Sequence, residues 1–157
     1  MRKLLPLTLG MFATACTAAL QQSPVPPAPA ASAQSFILAR QAGMHMATTL
    51  MIKSLKRAVT AGTDVKDQDA AADGIAMWAE AIPGLFPPGS AGPDSRARPE
   101  IWANKADFDA RAADLRDAAK RLSQLVAAGD KAGFAAQVAV VQSRCAACHD
   151  KYRAPEE

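Results

Sequence analysis

Two cysteines three residues apart, followed at once by a histidine, lie close to the C-terminal end of the chain: Cys145-Ala146-Ala147-Cys148-His149. This order of groups suits covalent attachment of a c-type haem. Two thiols that add across the vinyl groups of a porphyrin give two thioethers. Their i, i+3 spacing puts both sulfurs on one side of a helix. The next residue, His149, then supplies a neutral imidazole to iron as an axial ligand. Two other chemistries use Cys-x-x-Cys. A thioredoxin-like redox pair sits at a helix N-terminus after a strand, where the helix dipole lowers the thiol pKa. A zinc site needs a fourth ligand and usually a second pair. Here the pair falls late in a helical stretch and has no second pair. The plainest alternative is two small apolar residues on a core stripe beside an exposed histidine.

The elements that must position this motif are helical. Half of the residues are hydrophobic, many of them alanine, and only 5% are aromatic. Such a composition favours helices over a sandwich or barrel, which would need many Val, Ile, Thr and Tyr residues between regular turns. Four helical segments are predicted, each with one apolar face. The first runs from about 35 to 61 and carries Ile37, Arg40, Met44, Ala47, Met51 and Leu55. The second runs from about 65 to 82 with Gln68, Ala72, Ile75, Trp78 and Ile82. The third runs from about 105 to 128 with Phe108, Ala112, Leu115, Ala119, Leu122 and Val126. The fourth runs from 131 to about 153 with Phe134, Val138, Val141, Cys145, Cys148 and Tyr152. Gly62 and Gly129 are expected stops; Thr63 or Asp64 is the expected cap of the second helix, and Asp130 that of the fourth. Residues 83–99 hold five prolines and read as a long loop without helix or strand; loops of that length are often functional. The expected fold is all-α: an antiparallel four-helix bundle with a C-terminal covalent haem site.

The N-terminus reads as an export leader. Arg2 and Lys3 precede an apolar run from Leu4 to Ala15 that is too short to span a bilayer. Two cleavage readings compete. Ala13-Thr14-Ala15-Cys16 resembles a lipoprotein processing site, which would put a lipid on Cys16 and anchor the chain to a membrane. Ala31-Ser32-Ala33 would instead release a soluble chain. The expected division is a leader over 1–15, a Pro/Ala-rich tether over 16–34 and the helical domain over 35–157. Loss of Arg2 and Lys3 lowers the formal charge from +3 to +1. That near-neutral balance, with no basic run, excludes nucleic acid as an expected partner. Three cysteines, with only Cys145 and Cys148 in the helical domain, do not make a disulfide framework.

With these residues in place, the chain resembles the class II c-type cytochromes, chiefly the cytochrome c' family. Three stretches carry the resemblance: Cys-Ala-Ala-Cys-His-Asp-Lys-Tyr-Arg at 145–153; Leu-Phe-Pro-Pro-Gly-Ser at 85–90 with Arg-Pro-Glu-Ile-Trp at 98–102; and Arg40-Gln41 with Met44 one turn on. The resemblance implies one haem c per chain. It implies Arg40 near a haem propionate, Met44 at the distal position above iron, Arg153 bordering the proximal face and Trp102 packed near the haem edge. The residues alone also allow plainer roles. These are a solvated charge for Arg40, core packing for Met44 and Trp102, and a helix-terminal cation for Arg153. His45, about 100° round the helix from Met44, reads as surface.

What the haem would do follows from the resemblance too. One branch leaves the sixth iron position open and binds nitric oxide or carbon monoxide. The low-spin branch fills it with a methionine, here Met44, and carries electrons to a redox partner protein. A non-haem helical lipoprotein is the reading from a different class. Homodimerisation is common in the family, and Leu50 and Ile52 are expected on the exposed face. A periplasmic location is expected, free or lipid-anchored. No nucleophile–base pair, phosphate loop or carboxylate cluster near the motif suggests an enzyme.

Overall fold

A computed structural model of the chain describes residues 31–155. The leader, the lipidation point at Cys16 and most of the tether lie outside the described residues. Ser32 opens the first helix by accepting a hydrogen bond from the Ser35 N–H at 3.1 Å. Helix α1 (Ala33–Met46) then continues through a π-helical stretch (Ala47–Ile52) into α2 (Lys53–Ala61). Gly62, at φ 63°, ends it in the left-handed region that glycine enters without a Cβ penalty. Asp64 caps a 3-10 turn (Val65–Gln68) that leads into α3 (Asp69–Ala81). After the long connection come α4 (Glu100–Ala103) and α5 (Lys105–Ala128). Gly129 at φ 69° and Asp130 make the turn into α6 (Lys131–Tyr152). The Asp130 carboxylate accepts from the Gly133 N–H at 2.9 Å, a cap that contributes about 1 kcal/mol. Among the described residues there is no strand, and no helix is long and apolar enough to cross a membrane.

The four-helix bundle therefore consists of α1 with α2, then α3, α5 and α6. Its core is built from the faces expected. Leu55, Ala72, Ala119, Leu122 and Val141 are fully buried, and Phe134, Ile75 and Ile101 nearly so. Each large side chain withdrawn from water contributes roughly 1.5–3 kcal/mol. Two glycines let the first helix lie close to α3. A Cβ on Gly43 would overlap the indole of Trp78, and a Cβ on Gly74 would stand 2.8 Å from Cε of Met51. Each helix thus receives a large side chain of the other in a notch. The π-helical stretch follows the first contact by one turn and contains Met51 of the second.

Three local expectations need correction. The second helix does not begin as α at 65, because its first turn is 3-10. The connection is not free of regular structure. Ile82–Leu85 form a 3-10 turn in which Pro83 occupies the first turn, where its missing N–H costs nothing. Ala97 also bridges Arg153. Finally, Ile52 is not exposed beside Leu50. Leu50 is 66% exposed, whereas Ile52 is half-buried and lines a cavity.

The connection works as a strap. At one end Arg98 N–H donates to Tyr152 O at 3.0 Å and Ala154 N–H donates to Arg96 O at 2.8 Å. Arg96 also donates through Nε and Nη2 to Ala154 O at 3.0 and 2.8 Å. At the other end it holds Arg40 and Gln41 of α1, the latter donating to Asp94 O at 2.6 Å.

Candidate functional site

The last turns of α6 put Cys145, Cys148 and His149 against two adjoining cavities of about 230 and 410 Å³. His149, Cys148, Met44, Thr48, Phe108 and Arg153 line both. Cys145 lines the larger one, together with Trp78, Ile52 and Ile75. The combined space has the size of a cofactor site, roughly 300–1,000 Å³, and its walls are mainly aliphatic and aromatic.

The donor set fits a covalently held haem. Both thiols are free and half-buried, one helical turn apart. Burial pushes the pKa of each up. For Cys145 the neighbouring Cys148 adds to this; for Cys148 the nearby Arg111 works the other way without overcoming it. A redox pair needs the opposite, a stabilised thiolate at a helix N-terminus. Among the described residues no three His, Cys, Asp or Glu side chains converge as a metal cage, so a zinc site has no ligand set. Burial lowers the pKa of His149, and the Arg153 and Arg96 cations lower it further against the pull of Asp150. The imidazole is therefore neutral at pH 7, the form that binds iron. Its ring is not engaged by a hydrogen bond from the described residues.

Arg40 is not a solvated charge. It is 3% exposed and lines the smaller cavity. Its Nη1 donates to Leu85 O at 3.3 Å and to Ser90 Oγ at 3.2 Å; its Nη2 donates to Ser90 O at 2.7 Å and Ser95 Oγ at 2.8 Å. Its plane lies over the Phe86 ring, 4.7 Å from the centroid. The strap takes up four donor contacts, so of a guanidinium's five N–H groups only Nε–H is left to face a carboxylate. Arg153 is exposed at the mouth of both cavities, and its backbone N–H closes the last turn on His149 O at 2.9 Å. Met44 is half-buried on the cavity side and His45 is exposed. Trp102 lines neither cavity. Its indole N–H donates to Pro87 O at 2.9 Å, and its ring stands 6.4 Å, centroid to centroid, from that of Phe86, which does line the smaller cavity.

Several residues of the site escaped the reading of the sequence. Phe86, Phe108 and Tyr152 form a run of edge-to-face rings, with centroids 4.8 and 5.3 Å apart, that lines the smaller cavity. Behind them Asp107 Oδ2 accepts from the Tyr152 hydroxyl at 2.5 Å, Arg111 Nε at 2.9 Å and Lys151 Nζ at 3.0 Å. Arg111 in turn donates to the carbonyl of Ala147, inside the attachment motif, at 3.1 Å. The one sequence signal for this hub was the i, i+4 pair Asp107 and Arg111.

The hydrogen bonds from Tyr152, Arg111 and Lys151 hold the Asp107 carboxyl well below the usual carboxylate range, with burial opposing them. A depressed folded pKa means that the contribution is complete above the unfolded value of about 3.9 and disappears as pH falls through the folded value. Asp107→Asn is therefore expected to lower the melting temperature by a constant amount from pH 7 to about pH 5. The gap to the parent should narrow below about pH 4. Melting curves followed by circular dichroism across that range check it. A gap that widens in acid contradicts the role given to Asp107.

Comparison with known proteins agrees with this geometry. The family model described as Cytochrome C' matches residues 35–153. A cytochrome c' of Rhodospirillum rubrum is 30% identical over 146 residues, 92% of this chain and 97% of that protein. A cytochrome c-556 of Agrobacterium tumefaciens is 43% identical over 91 residues, 57% of this chain and 72% of the relative. The match to a cytochrome c' of Pararhodospirillum photometricum spans 66% of that protein's length at 36% identity. Among solved structures, cytochrome c' from Thermochromatium tepidum superposes with a TM-score of 0.73 at 31% identity, covering 80% of this chain and 98% of that one. A nitric oxide complex of a mutant cytochrome c prime from Alcaligenes xylosoxidans also superposes at 0.73, with 26% identity and the same coverage.

Proposed function

Because the chain belongs to the cytochrome c' family, we propose that Cys145 and Cys148 hold one covalent haem c, that His149 is its axial ligand, and that the protein binds nitric oxide or carbon monoxide on the side lined by Met44. The observation that carries this reading is the convergence of Cys145, Cys148, His149 and Met44 on one largely apolar cavity. Bound there, a haem supplies an iron centre for a diatomic ligand and for one-electron transfer.

The chain's own groups shape that centre. His149 is kept neutral by burial and by the flanking cations. The Thr48 hydroxyl donates to Met44 O at 2.9 Å, so its proton is committed to the backbone. Met44, Ala47 and Ile52 present apolar surface beside it. A small, nearly apolar gas loses little on entering beside that apolar surface, whereas water gives up hydrogen bonds there. Arg153 borders the His149 side as a cation open to solvent.

The second reading is a low-spin electron carrier in which Met44 sulfur is the sixth ligand. It is favoured by Met44 and His149 lining both cavities. In either reading the protein works on the periplasmic side, as the leader features of residues 1–15 suggest, and Cys16 is the candidate lipid attachment point. Its role is binding or electron transfer rather than catalysis.

The visible spectrum of the ferrous holoprotein under anaerobic conditions separates the readings. One broad visible band that shifts on adding carbon monoxide is the expected result. A sharp split pair that carbon monoxide leaves unchanged would overturn gas binding and favour the electron carrier.

A further inference from the structure

Trp78 has no counterpart among the roles assigned so far, yet it lines the larger cavity with Met44, Ala47 and Thr48. Its indole is accommodated by an absence of side chain. A Cβ on Gly43 would overlap Cζ3 and Cη2 of the ring and stand 2.8 Å from Cε3. Glycine inside a helix costs about 1 kcal/mol relative to alanine. Gly43 is a buried residue in the interior of α1, directly before Met44, and the indole gives it a reason to be there. The ring is rigid and turns only at its two side-chain torsions. On its own helix Ile75 and Ala79 are buried and close-packed, so two directions are open to a displaced ring: solvent, or the cavity of about 410 Å³.

We propose that Trp78, drawn back into the notch at Gly43, is the residue that sets the room on the Met44 side and so filters by size what reaches the iron. The proposal rests on the gas-binding reading and deepens it. Met44 approaches along α1 and Trp78 from α3, so the free width there depends on how far the ring withdraws. The notch fixes that distance, and it does so through backbone rather than through a side chain that could rotate away.

The test is carbon monoxide rebinding after flash photolysis of the ferrous holoprotein. Four chains are compared: parent, Gly43→Ala, Trp78→Leu and the double variant. Gly43→Ala should slow association by about tenfold, as a barrier raised by about 1.4 kcal/mol would do. Trp78→Leu should speed it. The double variant should match Trp78→Leu, because no ring remains to be pushed. If Gly43→Ala does not fold, the faster rate of Trp78→Leu still decides the question. Carbon monoxide bound at equal rates by every folded chain overturns the filter while leaving gas binding intact. A parent that binds no carbon monoxide overturns the gas-binding reading and the filter with it. A crystal structure of Gly43→Ala gives an independent reading. An indole moved toward Met44 supports the proposal, and an indole turned out to solvent overturns it.

Discussion

A chain carrying Cys145→Ala and Cys148→Ala together should lose all haem on denaturation and solvent extraction, whereas the parent, matured in the same cells, should keep it. The expected change is from covalent retention to none, because thioether bonds to these two sulfurs are the link that survives unfolding. The two single variants divide the question further. Each leaves one sulfur on the same face of α6, so each should retain haem through one bond and in lower yield. Folding should not be the limiting factor. Cys145 and Cys148 are half-buried at the edge of the core, and alanine fits the helix at both positions. Haem staining of a denaturing gel, with circular dichroism as the control for helix content, reads the result. Haem retained by the double variant would mean that the motif is not the attachment site.

The second large effect is expected at Arg40. Arg40→Met keeps an unbranched chain of similar length and removes the charge with its four donor contacts to Leu85, Ser90 and Ser95. Hydrogen bonds to a charged group contribute about 1.5–3 kcal/mol each, and they are not additive when they share one guanidinium. Acceptors left buried without a donor add to the cost. The Ser90 hydroxyl would keep only its own donation to Pro87 O, at 2.8 Å. We expect a loss of about 3 kcal/mol in unfolding free energy. Hydrogen exchange should rise chiefly over residues 85–95. Denaturant unfolding and exchange measured on the same variant check both parts. A loss below about 0.5 kcal/mol, typical of a surface substitution, would mean that the strap is held by other contacts.

How far the sequence could be read depends on the range of the forces involved. Gly62, Gly129, Asp64 and Asp130 act within a few residues of themselves, so the ends they set were legible, and α5 runs over the expected span, Lys105–Ala128. The attachment motif was legible for the same reason, being one helical turn long. The π-helical stretch Ala47–Ile52 was not, because Ala-Thr-Thr-Leu-Met-Ile has no local sign of it, and its Met51 packs on Gly74, a partner 23 residues along the chain. Asp107 was not singled out, and its partners Lys151 and Tyr152 lie 44 and 45 residues away. Arg40 was placed on the right face. What its guanidinium binds, 45–55 residues further along, could not be read from a helical period. Trp102 was the aromatic of the loop motif given a place at the haem edge, but Phe86 of the same motif is the one that lines the smaller cavity.

The strap also bears on the order in which the molecule assembles. Helices α5 and α6 are neighbours in the chain, joined through Gly129 and Asp130, and their pairing closes only a short loop. The ties between the strap and the two ends of the site span 45–58 residues. Loop-closure entropy and the link between contact distance and folding rate make such ties late events. The attachment motif is therefore expected to be displayed on a formed hairpin before Arg40 and the strap shut the smaller cavity over it. Chemistry on the two thiols would have its widest access during that interval.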